Sequence, residues 1–222
     1  MAGDEGLGLR ERKKKQTATK VWHTALRLFL QHGYDQVSVA QIAEAAEVSK
    51  MTVFNYFKTK EDLLMNPMEA HMGDMASAVR SRGPGESVLA AVCSQFLELV
   101  EARDASVGLA GGEHQRQLIQ LIAGTPVLTR RAHLWAVRSE ELLAEALAEE
   151  TDDELLPLLA AAQLAGVRGA LIGDHHRRVA NGEPVAQVAE GAAERAERAF
   201  DFLGRGLEGF AVREERPAAA SH

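Results

Sequence analysis

This sequence predicts an all-α fold in two parts, an N-terminal three-helix helix-turn-helix domain followed by a helical bundle. Apolar residues recur at three- and four-residue spacing along most of the chain, with no alternating β-branched run bounded by tight turns. Two short segments, Val39 to Ala46 and Lys50 to Phe57, stand directly behind serines, Ser38 and Ser49, whose hydroxyls suit a helix N-terminus. Charge is also divided: ten of the 25 Lys/Arg but only four of the 32 Asp/Glu fall between Arg10 and Lys60, within a net charge of -7.

The first helix is expected from about Arg12 to His32, with Val21, Trp22, Ala25, Leu28 and Phe29 on one apolar stripe and Gly33 as a left-handed stop. Val39, Ile42, Ala43 and Ala46 form the buried side of the second, and a tight turn through Glu47 and Val48 leads to the third. Thr59 opens a helix expected to run from Lys60 to about Arg80, with a kink at Pro67. Gly83-Pro84-Gly85 breaks the pattern. Helical periodicity then covers about Glu86–Arg103, Glu113–Ala123, Pro126–Glu150, Asp153–Ala180 and Pro184–Phe210. The expected division is a helix-turn-helix domain over 10–60, a helical bundle over 61–212, and frayed tails at 1–9 and 213–222.

With 222 residues, 46% of them hydrophobic, the chain can bury a sizeable core. A start of Met1-Ala2-Gly3-Asp4-Glu5 and the lack of a long uncharged apolar run point to a cytoplasmic protein with no membrane partner. The single cysteine, Cys93, reads as a small core residue. No phosphate loop, nucleophile elbow or zinc-protease pair is present, so the chain is not read as an enzyme and no cofactor is expected. His175-His176, with His71, His114 and His133, invite a metal reading, but adjacent histidines diverge by about 100° on a helix and no ligand set has suitable spacing, so no metal is expected.

The eight positions from Lys50 to Phe57 span about 12 Å at 1.5 Å per residue, which matches the width of the major groove. The N-terminus of that helix attracts phosphate, and Met51, Thr52 and Asn55 follow on residues that can reach base edges. A carboxamide pairs with adenine N6 and N7 together, which makes Asn55 the strongest candidate reader, while Met51 and Thr52 suit a thymine methyl. Val53 and Phe57 fall on the opposite, structural side. Arg10, Arg12, Lys13, Lys14 and Lys15 read either as an arm that follows the DNA backbone or as a solubilising helix start.

The segments Ala25-Leu26-Arg27-Leu28-Phe29, His32-Gly33-Tyr34, Ser38 to Ala43, Val48-Ser49-Lys50 and Thr52 to Leu64 resemble, in order and spacing, the N-terminal signature of TetR-type regulators. The likeness covers about fifty residues, from Arg10 to Leu64. It implies a ligand-responsive regulator, a repressor by family expectation, that binds an inverted-repeat operator in double-stranded DNA as a homodimer and leaves it when a small-molecule effector binds. Residue by residue it implies Ser38 and Lys50 near phosphates, Thr52 and Asn55 on the recognition helix, and Tyr56 and Lys60 on backbone oxygens. Phe54 stands where members often carry tyrosine, so a phosphate contact through that hydroxyl is not implied.

The remaining chain suits the family's effector and dimer body. Val185, Ala189, Ala192, Ala196, Ala199 and Leu203, with Gly166, Gly169 and Gly173 on the preceding helix, form small-residue seams that fit a four-helix dimer interface or packing within one subunit. An effector pocket is expected between Glu86 and Ala180, with Phe96, Leu121, Leu134, Trp135 and Val137 as apolar wall and Arg131, His133, Arg138 and Gln163 as polar anchors. The rival of another class is a helical small-molecule or protein-binding module without operator-specific DNA binding.

Overall fold

The structure, a computed structural model, describes residues 8–206, and no strand occurs among them. The tails expected at 1–9 and 213–222 lie outside the described residues except for residues 8 and 9, and residue 9 is already helical. The helices are α1 (Leu9–His32), α2 (Val39–Ala45), α3 (Lys50–Tyr56), α4 (Asp62–Glu69), α5 (Asp74–Ser81), α6 (Val88–Glu101), α7 (Glu113–Gly124), α8 (Pro126–Ala148), α9 (Leu156–Ala180), α10 (Val185–Glu190) and α11 (Ala192–Arg205), with a 3₁₀ turn at Ala105–Val107.

Two apolar cores organise them. The first holds the helix-turn-helix: Val21, Ala25 and Phe29 of α1 close on Ile42 and Ala43 of α2, Val53 of α3, and Phe57. Each of the larger side chains contributes about 1.5–3 kcal/mol by leaving water, so two short helices with few internal hydrogen bonds are fixed on the long α1 as one rigid unit. This core continues past residue 60 through Leu63, Leu64 and Met65 of α4 to Leu128 of α8, and Leu118, Leu121 and Ile122 of α7 pack against it. The second core lies within the body, where Met75 and Val79 of α5, Val92 and Phe96 of α6, Leu143 of α8 and Leu171 of α9 meet Ala192, Ala196 and Phe200 of α11.

Two helices expected to be continuous are broken. The stretch from Lys60 to Arg80 ends at Glu69, turns through residues 70–73 and resumes at Asp74. Pro67 cannot donate to the helical ladder, and Gly73, four residues beyond α4, has no side chain to hold another turn. The last helix likewise divides at Gly191, between α10 and α11; its expected end at Phe210 lies outside the described residues.

The seam of Val185, Ala189, Ala192, Ala196, Ala199 and Leu203 faces inward: Ala192 and Ala196 are fully buried and the other four pack against the body core. It therefore joins α10 and α11 to α6 and α9 within one chain, while Ala199 also borders an outer groove beside Phe202. The α9 glycines lie outward, and a Cβ built at Gly166, Gly169 or Gly173 would meet nothing within 4 Å.

Among the described residues α9 alone has the length and apolarity to cross a membrane. It packs against α6, α8 and α11 with Arg168 and His175 on its buried side, as a central helix of the body does. The 3₁₀ turn docks on it: His175 Nδ1 lies 2.8 Å from the Val107 carbonyl, so that nitrogen carries the proton and donates. Gly108, at φ 77°, sits so close to the His176 ring that a Cβ there would meet it at 2.5 Å.

Candidate nucleic-acid interface

The turn that aims α3 closes in a Schellman arrangement: the Val48 amide donates to the Ala43 carbonyl at 2.9 Å and the Glu47 amide to the Glu44 carbonyl at 3.0 Å. That geometry requires a left-handed residue, and Glu47 takes the position at φ 54°. Lys20 of α1 reaches across to the Glu47 carboxylate at 2.8 Å, which holds the Glu47 carboxyl below its usual range and ties the turn to the first helix.

Both serine caps form. Ser38 and Gln41 make a reciprocal box, the Gln41 amide donating to Ser38 Oγ at 3.3 Å and the Ser38 amide to Gln41 Oε1 at 2.8 Å. Ser49 Oγ accepts from the Thr52 amide at 3.0 Å and lies 2.8 Å from the Thr52 hydroxyl. The start of α3 is thus fixed while its outer surface stays open. Lys50, Met51, Phe54 and Asn55 are exposed, Thr52 and Tyr56 are half-buried, and Val53 and Phe57 are buried.

Met51 is 70% exposed and Phe54 41%, an apolar exposure that helix stability does not need. The Lys50 ammonium lies 5.9 Å from the centre of the Phe54 ring, so the two form one surface at the tip of α3. The sequence implies no phosphate contact for Phe54; its place one turn from Lys50 was the available signal of a shared surface.

Ser38 stands exposed at the start of α2. Lys13 and Lys14 are exposed on the first turns of α1, so the basic segment is helical from Leu9 onward rather than an extended arm. Lys60 is placed differently: its Nζ donates to the Tyr34 carbonyl at 2.6 Å and lies 4.2 Å from the centre of the Tyr34 ring. Burial pulls its pKa down, against the pull of Asp35 and Glu61, and its charge closes the loop after α1 instead of pointing outward.

Helix α4 is joined to the body by a polar strut. Thr59 and Asp62 cap each other, the Thr59 amide donating to Asp62 Oδ2 at 3.0 Å and the Asp62 amide to Thr59 Oγ1 at 3.2 Å. The remaining Asp62 oxygen, Oδ1, accepts from Arg131 of α8 at 2.8 Å, and the Arg131 guanidinium lies 5.7 Å from the Trp135 ring.

Of the nine residues expected to line an effector pocket, Val137 is exposed on α8 and the other eight do not come together. Phe96 is sealed in the body core near Phe200 and His175. Leu121 and Trp135 pack on the helix-turn-helix core, and Arg131 is held by Asp62. His133, Leu134, Arg138 and Gln163 are exposed, with Arg138 paired to Glu141 and Glu145 of its own helix. The outer face of α8 is a solvated surface, a distinction that residue chemistry alone did not carry.

A cavity of about 210 Å³ lies elsewhere, at the junction of the two cores, walled by Trp22 and Leu26 of α1, Leu64 and Met68 of α4 and Leu118 of α7. Each of these five looks like ordinary core in the sequence, so nothing in the pattern marked the void between them.

Residues 22–65 match the family described as bacterial regulatory proteins, tetR family. The regulator TcmR of Streptomyces glaucescens is 32% identical over 157 residues, which cover 68% of this chain and 70% of TcmR. The chain belongs to the TetR family. TetR-family chains are DNA-binding transcriptional regulators, typically ligand-responsive repressors, and TcmR is named a regulator rather than an enzyme.

Solved TetR-like structures share the fold at low sequence identity. NalD of Pseudomonas aeruginosa, the secondary repressor of a multidrug efflux pump, superposes with a TM-score of 0.55 at 22% identity, covering 83% of this chain and 97% of NalD. SmeT in complex with triclosan superposes with a TM-score of 0.50 at 17% identity, covering 83% of this chain and 91% of SmeT.

Proposed function

We propose that this TetR-family chain is a dimeric repressor that grips an inverted-repeat operator with paired α3 helices and releases it when a small-molecule effector binds. The outward face of α3 carries the reading: Lys50, Met51, Phe54 and Asn55 are solvent-facing on a helix whose other side is buried and whose start is doubly capped. Lys50 and the first amides of α3 attract phosphate, Asn55 offers the bidentate carboxamide, and Met51 with Phe54 forms an apolar surface suited to a thymine methyl. Lys13 and Lys14 add phosphate contacts from the start of α1, so affinity falls steeply as salt rises.

The second copy is expected on the outer side of α9 and α11. Gly166, Gly169 and Gly173 leave the α9 backbone open to close approach. Beside them Phe202, 44% exposed, borders a groove formed with Val167, Ala170 and Ala199. Two-fold pairing there sets the α3 helices for half-sites about 34–36 Å apart. Effector release needs only about 1–3 kcal/mol of coupling, a 5- to 150-fold loss of operator affinity. SmeT, a structural neighbour, is seen with triclosan bound, which fits a small-molecule effector for this chain.

The test is a gel shift with DNA from upstream of the chain's own coding region. Retardation by an inverted repeat that is lost on Asn55→Ala supports the proposal. No retardation at any salt concentration refutes it and favours a binding module without operator specificity.

A further inference from the structure

We propose that the junction cavity between α1, α4 and α7 is the effector site itself, and that it takes a neutral one- or two-ring molecule bearing a carbonyl oxygen. The inference rests on the ligand-responsive reading above and gives it a place and a chemistry. At about 210 Å³ the cavity has room for about seven waters at liquid density, which excludes ligands much larger than two fused rings. Its wall is mostly apolar, and the charge that His71 could bring is matched by Asp74, whose Oδ2 lies 2.9 Å from His71 Nδ1. The second histidine of the wall, His114, is exposed to solvent, so a charged ligand would lose its hydration inside the cavity without gaining a buried counter-charge.

Two polar groups of the wall lack full protein partners. Trp22 Nε1 is sealed from solvent and makes no hydrogen bond, whereas Ser106 is engaged by the Asp104 carboxylate. Gln115, buried on α7, reaches the Ala105 carbonyl only at 3.5 Å, the outer limit of a hydrogen bond. An indole N–H can only donate and the Gln115 carboxamide nitrogen donates as well, so the oxygen that suits them is an acceptor.

Location supplies the regulation. Trp22 belongs to the helix that braces α2 and α3, whereas Ser106, Gln115 and Leu118 belong to the body. A ligand that draws Trp22 Nε1 toward its own oxygen shifts α1 against α7, and the reading helix moves with α1. The bound form is therefore a different disposition of reader and body from the empty one.

The probe is 2-acetylnaphthalene, titrated calorimetrically into the full-length protein, with 2-isopropenylnaphthalene as the same shape without the oxygen. We expect saturable binding of the ketone at one site per chain, with the alkene weaker by about 2- to 13-fold, the usual worth of one hydrogen bond. Trp22→Phe should lower ketone affinity to that of the alkene and leave the alkene nearly unaffected. Leu118→Trp, which fills the cavity, should abolish both; should that variant unfold, the Trp22→Phe comparison decides. The ketone should also weaken retardation of an inverted-repeat duplex by at least about 5-fold.

Absence of ketone binding, unchanged binding in a folded Leu118→Trp, or a retardation indifferent to bound ketone overturns the proposal. The two readings fail separately. A chain that binds the duplex but not the ketone sinks the cavity proposal alone, and one that binds the ketone but no duplex sinks the regulator.

Discussion

Replacing Asp62 by alanine removes two acceptors at once from the point where reader and body are joined. Asp62 is 7% exposed, with one oxygen on the Thr59 amide and the other on Arg131. Loss of the cap costs about 1 kcal/mol. Loss of a charged hydrogen bond costs about 1.5–3 kcal/mol, and Arg131 Nε, already buried without a partner, leaves the guanidinium poorly satisfied. The Arg131 side chain is 33% exposed and can recover part of this from water, so the expected total is about 2–3 kcal/mol. In a chain of this size that lowers the melting temperature by about 4–12 °C, read by circular dichroism. Asp62→Asn, which can still accept from Thr59, should cost about half as much. A double-mutant cycle with Arg131→Ala should show coupling of at least about 1 kcal/mol. A melting temperature within about 1 °C of wild type, or strictly additive single variants, would refute the strut.

Gly169→Arg adds a side chain where one subunit has open space. The variant should keep its melting cooperativity, elute as a monomer on light-scattering chromatography and lose at least about tenfold in operator affinity; a dimer of wild-type affinity would place the interface elsewhere. His175 is fully buried, with Nε2 unpartnered, and burial lowers its pKa although the Val107 carbonyl opposes the shift. The unfolded chain then binds protons first, so stability is complete above the unfolded pKa of about 6.5 and falls as pH drops below it. His176 shifts in the same direction by burial. The protein should melt lower at pH 5 than at pH 7.5, and His175→Gln should reduce the difference; an equal loss in both proteins would remove His175 from the cause.

The helix-turn-helix was legible because its signals are local. Ser38 and Ser49 sit at fixed offsets from apolar stripes, and the alternation that buries Val53 and Phe57 leaves Met51 and Asn55 outside. The seam from Val185 to Leu203 was less legible because spacing reveals that a helix has a packing face and not whether the partner lies in the same chain. Gly191 gave the break after α10 no stronger mark than the glycines that α9 carries without breaking. The family resemblance implies that Lys60 contacts backbone oxygens of DNA, and only the three-dimensional arrangement puts its ammonium on the Tyr34 carbonyl. The junction cavity depends on a small mismatch among five side chains from three helices, and the sequence pattern records each only as apolar.

The account stands most directly on what the exposed face of α3 does in duplicate. Fluorescence anisotropy with an inverted-repeat duplex selected from random DNA, titrated at several salt concentrations, measures this in one experiment. The predicted result is two chains per duplex, a steep loss of affinity with rising salt, and discrimination that collapses on Asn55→Ala. Binding by a single chain with equal affinity for a lone half-site, or discrimination untouched by Asn55→Ala, would contradict it.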